Sequence, residues 1–113
     1  MQVEMKIWFV ENDKKIFGEG PYRLLTYVGR FGSLRKAAAE MGMSYSKAWS
    51  LIKHIEKELD IQLLDKSIGG HEGGGSKITE EALALMGKYE LVLKKMREEL
   101  ENVNRSMGHK NIR

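Results

Sequence analysis

Cysteine is missing from the chain, which excludes disulfides and thiolate metal sites and is compatible with a reducing compartment. No run approaches the ~18 consecutive apolar residues of a membrane span. The opening residues, MQVEMKIWFVEND, alternate and carry acids, unlike a secretory signal. His54, His71 and His109 fall on different segments without metal-ligand spacing. There is no P-loop, because Gly69 and Gly74 are followed by Gly75 and Ser76 where Lys and then Ser or Thr are required. Gly18-Glu19-Gly20-Pro21-Tyr22-Arg23 fails the G-x-G-x-x-G pattern at its last position. No nucleophile–base constellation can be placed and no cofactor is implied, so an enzyme is not expected. The 113 residues, 42% hydrophobic and 31% charged, suffice for one compact soluble domain with a modest core, in the cytoplasm. A net charge of +3 suits an acidic polymer without demanding one.

Everything else is organised around Ser33 to Leu59, which reads as two helices joined by a tight turn. Ser33 is an N-cap, Ala37, Ala38 and Met41 share a face, and Gly42 sits where a left-handed residue is wanted. Ser44 caps a longer helix, Tyr45 to Leu59. A short helix, a glycine turn and a longer helix make a helix-turn-helix. In the longer helix Ala48, Ile52, Ile55 and Leu59, with Leu51 beside them, form an apolar stripe. Ser46, Ser50, Lys53 and Lys57 lie opposite, about 100° of rotation per residue placing them half a turn away. Small hydroxylic side chains let a helix approach base edges, and lysines reach phosphates. The competing reading of that face is an ordinary solvated one. Trp49 falls between the two faces and is expected to pack rather than read bases.

Upstream, Val3, Met5, Ile7 and Phe9 alternate with Gln2, Glu4, Lys6, Trp8 and Val10, the period of a strand. Asn12-Asp13 is turn chemistry and Lys15-Ile16-Phe17 a short return strand. Trp8 falls on the more polar face; it is expected to pack on Phe17 or under a helix, the alternative being an exposed partner contact. Pro21 marks the first position of a helix running to Phe31, with Leu24, Leu25, Val28 and Phe31 facing inward, and Gly32 ends it. Downstream, Glu56, Glu58 and Asp60 read as a solvated acidic patch, and Ile61 to Leu64 as a short strand. A glycine-rich tip and Lys77-Ile78-Thr79 follow, so residues 61–79 describe a β-ribbon wing; the competing reading is a solvent loop without a partner. Thr79 caps the last helix, with Glu80 and Glu81 at its positive end. Ala82, Met86, Tyr89, Leu93, Met96, Leu100, Val103 and Met107 then alternate four and three apart, an unbroken heptad seam along a rod of about 42 Å. Its distal half outruns the domain, and a two-fold partner is the expected cover. A helix lying across its own domain is the alternative. Residues 108–113 form a basic, fraying tail.

The run GSLRKAAAEMGMSYSKAW and the later GGHEGGGSKIT resemble the N-terminal winged-helix domain of ModE-type, molybdate-responsive transcription regulators. LysR-type regulators share the helix-turn-helix and are next nearest, and the glycine-rich wing favours the ModE type. The resemblance covers roughly residues 20 to 90. It implies a homodimeric regulator that binds double-stranded DNA in a prokaryotic cytoplasm. Carried onto this sequence, the DNA-binding candidates are Ser33, Arg35, Ser44, Tyr45, Ser46, Lys47, Ser50, Lys53, His71 and Lys77. The dimerisation candidates are Leu93, Met96, Leu100, Val103 and Met107. Two departures matter. Glu72 beside His71 would repel a phosphate at the wing tip, and the oxyanion-binding domain of the family has no counterpart, so molybdate binding is not expected from this chain.

The expected fold is mostly α with small β: a winged helix-turn-helix (1–79) with an N-terminal hairpin, followed by a long C-terminal dimerisation helix (80–107). The alternative function is a winged-helix interaction module that docks on another regulator or a transport subunit without touching DNA.

Overall fold

A computed structural model describes residues 1–66 and 75–108. Two strands, β1 (Phe9–Glu11) and β2 (Lys14–Phe17), precede three helices, α1 (Glu19–Phe31), α2 (Leu34–Glu40) and α3 (Tyr45–Leu59). A second strand pair, β3 (Leu64–Lys66) and β4 (Ser76–Ile78), leads into the long helix α4 (Glu80–Ser106). Both strand pairs are antiparallel. This is the expected architecture of a winged helix-turn-helix, mostly helical with two small ribbons. Among the described residues no helix is long and apolar enough to cross a membrane.

The core is one cluster. Leu24, Leu25 and Val28 of α1, Ala37 and Ala38 of α2, and Ala48, Ile52 and Ile55 of α3 meet there. Leu63 and the first half of α4, through Ala82, Met86 and Tyr89, complete it. Alanines at the contacts of α2 and α3 let the helices approach closely. Four aromatic rings, Phe9, Phe17, Tyr22 and Tyr89, tie the hairpin and α1 to α4, with neighbouring centroids 5.4–6.5 Å apart. Tyr89 donates from its hydroxyl to the Ile7 carbonyl at 2.8 Å, and burial raises its pKa. Tyr22 donates to the Glu90 carboxylate, a bond that holds the phenol proton and raises its pKa.

The caps follow the sequence closely. Ser33, Ser44 and Thr79 each accept a bond from the backbone N–H three residues on. Gly42, at φ +70°, takes the left-handed turn between α2 and α3. Asn12 and Asp13, both at positive φ, make the two-residue turn whose twist matches a hairpin.

Five local expectations are corrected. Strand pairing begins only at Phe9, because the return strand has four residues and α1 starts directly after it. Residues 1–8 instead run beside α4, where the Asn104 amide accepts from the Val3 N–H at 2.7 Å and donates to its carbonyl at 3.1 Å. Their alternation survives as burial: Met5 and Ile7 are half-covered while Glu4, Lys6 and Trp8 are exposed. Trp8 is neither packed on Phe17 nor roofed by a helix; it is 41% exposed, with the Lys15 ammonium 3.7 Å from its ring centroid. The α1 helix starts two residues before Pro21, capped by Gly18, whose carbonyl accepts from Tyr22. Proline still lies in the first turn, where its missing N–H costs no bond. Phe31 is 37% exposed and stacks on Tyr27 rather than facing inward. The wing strand begins at Leu64, not Ile61: the Ile61 N–H donates to the Glu56 carbonyl, and the Gln62 and Leu63 N–H groups donate to the side-chain carboxylates described below.

Candidate nucleic-acid interface

The α3 helix places its two sides as its spacing requires. Ala48, Ile52 and Ile55 are at most 1% exposed, whereas Ser46, Lys47, Ser50, Lys53 and Lys57 are exposed. Arg35 joins this surface from α2 and Lys77 is exposed on β4. Ser44 is exposed, and its hydroxyl accepts from the Lys47 N–H at 3.1 Å. Ser33 is placed differently: it is 8% exposed, and its hydroxyl accepts from the Lys36 N–H at 3.1 Å, so the side chain serves the start of α2. His71, with Glu72 and the wing tip, lies outside the described residues.

A line of four side chains crosses this surface. The Arg35 guanidinium stands 4.2 Å from the centroid of the Tyr45 ring. Tyr45 and Trp49 stack with centroids 6.4 Å apart and planes inclined at 27°. The Lys53 ammonium sits 4.5 Å from the Trp49 centroid. Trp49 packs against another half-buried ring, on the exposed flank of α3. The i, i+4, i+8 spacing of Tyr45, Trp49 and Lys53 was the available signal for this arrangement.

The acidic residues at the end of α3 are not a solvated patch, which corrects the expectation for Glu56 and Glu58. Both carboxylates are only 12% exposed. Glu56 pairs with Lys53 at 3.1 Å, and its other oxygen accepts from the Leu63 N–H at 2.8 Å and the Leu64 N–H at 3.4 Å. Glu58 accepts from the Lys14 ammonium at 2.9 Å, and this bond lowers its pKa. The short link after α3 is held from the other side too. Glu81 accepts from the Gln62 N–H at 3.0 Å, and the Thr79 hydroxyl donates to the Gln62 carbonyl at 2.5 Å. Thr79 N–H also donates to the Leu63 carbonyl at 3.0 Å. At the far end of the ribbon, Ser76 N–H donates to Gly32 at 2.9 Å, fixing β4 against the turn that opens α2. Apart from the i, i+3 pair of Lys53 and Glu56 within α3, sequence spacing could not reveal these bonds, because their partners are distant in sequence.

A capped short helix, a left-handed glycine, a second helix with one open polar side, and a ribbon pinned beside them define a winged helix-turn-helix. The profile of the bacterial regulatory helix-turn-helix proteins, lysR family, matches residues 22–83, and the chain belongs to that family of DNA-binding transcription regulators. It is similar to the molybdenum-pterin-binding protein MopA of Rhodobacter capsulatus, 33% identical over 70 residues, covering 62% of this chain and 26% of that protein. It is also similar to the DNA-binding transcriptional dual regulator ModE of Escherichia coli K12, 30% identical over 94 residues, covering 81% of this chain and 35% of that one. The chain thus spans about a third or less of the length of these curated relatives. Among solved structures, the DNA-binding domain of BenM in complex with catB site 1 DNA superimposes with a TM-score of 0.56 at 22% identity, over 79% of this chain and 93% of that domain. Both resemblances read from the motifs, to ModE-type and to LysR-type regulators, are thereby met.

Proposed function

We propose that the protein is a homodimeric, sequence-specific DNA-binding regulator of transcription, acting in a prokaryotic cytoplasm. The α3 helix enters the major groove, the ribbon lies along the flanking backbone, and α4 pairs with its copy. The observation that carries this reading is the open side of α3: Ser46, Ser50 and Lys53 face solvent while the opposite side is consumed by the core. In this reading Tyr45, Ser46 and Ser50 meet base edges, and Ser44, Arg35, Lys47, Lys53 and Lys77 meet phosphates. Leu93, Met96, Leu100, Val103 and Met107 supply the pairing seam, on which Met96 and Val103 remain 46% and 41% exposed in the single chain. Two reading helices on one face of a duplex would engage half-sites about 34–36 Å apart, or a multiple of that distance.

The test is a gel-shift titration with genomic fragments at two salt concentrations, beside sedimentation of the free protein. A dimer with competitor-resistant, salt-sensitive binding is expected. Lys53→Ala should weaken every sequence and flatten the salt dependence by at most about one unit of slope. A monomer indifferent to DNA would replace this reading with that of a protein-interaction module.

A further inference from the structure

The four-membered line of Arg35, Tyr45, Trp49 and Lys53 offers more than positive charge. On the outward side of α3 the neighbouring side chains Ser46, Lys47, Ser50 and Lys53 are hydroxyls and ammonium groups. Apolar area there comes from the Tyr45 and Trp49 rings, both half-buried and stacked on each other. We propose that this ring pair reads thymine, making apolar contact with the C5-methyl group in the major groove, while Arg35 and Lys53 hold phosphates at either end. The inference rests on the reading of α3 as the helix that enters the groove.

Chemistry selects the ligand. The thymine methyl is the apolar group that a base pair displays in the major groove, and every other feature there is a hydrogen-bond donor or acceptor. An aromatic pair among serines and lysines matches that mixture. The geometry also selects duplex over single-stranded nucleic acid. A stacking platform needs an open ring face for each base. Here Arg35 stands 4.2 Å over Tyr45 and Lys53 4.5 Å over Trp49, so a stacking base would have to displace a cation. A ring with a cation on its face and a second ring against it presents its edge. An edge reaches a methyl group on the groove floor. Glu56, 3.1 Å from Lys53, orients the ammonium at the far end of the line, and a phosphate there shares it with this carboxylate.

The test begins with duplex sites selected from a random pool by the full chain. Each thymine is then replaced in turn by deoxyuridine, which deletes the methyl and keeps the hydrogen-bonding edge. One thymine per half-site should show a loss of affinity of roughly four-fold, the worth of one buried methyl-sized group. Trp49→Ala and Tyr45→Ala should bind thymine and uracil versions equally. Arg35→Met and Lys53→Met leave both rings in place; each should keep the discrimination and flatten the salt dependence by at most about one unit of slope. If no uracil replacement weakens the unmodified protein, or if the ring variants still discriminate, thymine reading by this pair is overturned while DNA binding stands. If the chain selects no duplex at all, the underlying reading fails with it.

Discussion

The two halves of α4 carry one repeat and occupy two environments. Ala82, Met86 and Tyr89 are buried against the core, whereas Met96 and Val103, further along the same seam, are 46% and 41% exposed. Heptad spacing decides which side of a helix is apolar, but not what covers it. The cover changes near Leu93, where the aromatic cluster ends and the extended residues 1–8 lie alongside. The first half belongs to the domain. In the second half, Leu93, Leu100 and Met107 are half-buried in the single chain while Met96 and Val103 stay exposed.

Substitution should separate the halves by their size of effect. Tyr89→Ala removes a ring 2% exposed that touches Phe9, Phe17 and Tyr22, and should lower unfolding free energy by about 3–5 kcal/mol in urea titrations. A loss near that of an exposed position would place Tyr89 outside the core. In the distal half, Met96→Asp together with Val103→Asp should raise the dimer dissociation constant at least about ten-fold, or 1.4 kcal/mol. The thermal midpoint of the dilute chain should hardly move, and sedimentation distinguishes the two readouts. An unchanged dimer would mean that the seam is not the pairing surface.

The smallest effect tests the join between hairpin and α3. Because Lys14 lowers the Glu58 pKa, that pairing adds stability above the ordinary glutamate range, and the contribution disappears as the pH falls through the folded pKa. Lys14→Met should therefore lower the urea midpoint at about pH 6 and leave it almost unchanged at about pH 3, on either side of the carboxylate range. Equal losses at both values would assign the effect to packing of the lysine stem.

Helix existence, caps and the inward stripes of α1, α3 and α4 were legible because each depends on neighbours three or four residues away. Ser33, Ser44, Gly42 and Thr79 illustrate this: the residue type and its offset contain the whole local argument. What was misread depends on partners distant in sequence. Trp8, in the extended segment before β1, and Phe31, at the end of α1, are exposed apolar residues, and nothing local indicates that the core is already full. Glu56 was read as solvated because its ligands, the amides of Leu63 and Leu64, approach only once the chain has turned back beneath α3. Of the candidate site, the open side of α3 was readable from periodicity, whereas the cation over each ring required the side-chain positions.

The clamp on Gln62 and Leu63 has a mechanical consequence. Carboxylates from both helices and one threonine hydroxyl hold Gln62 and Leu63, so the end of α3 is bonded directly to the start of α4. Torque applied anywhere along α4 is transmitted to α3. In a two-fold pair, the angle at which the rods cross would then dictate the pitch and separation at which the heads are offered to a duplex.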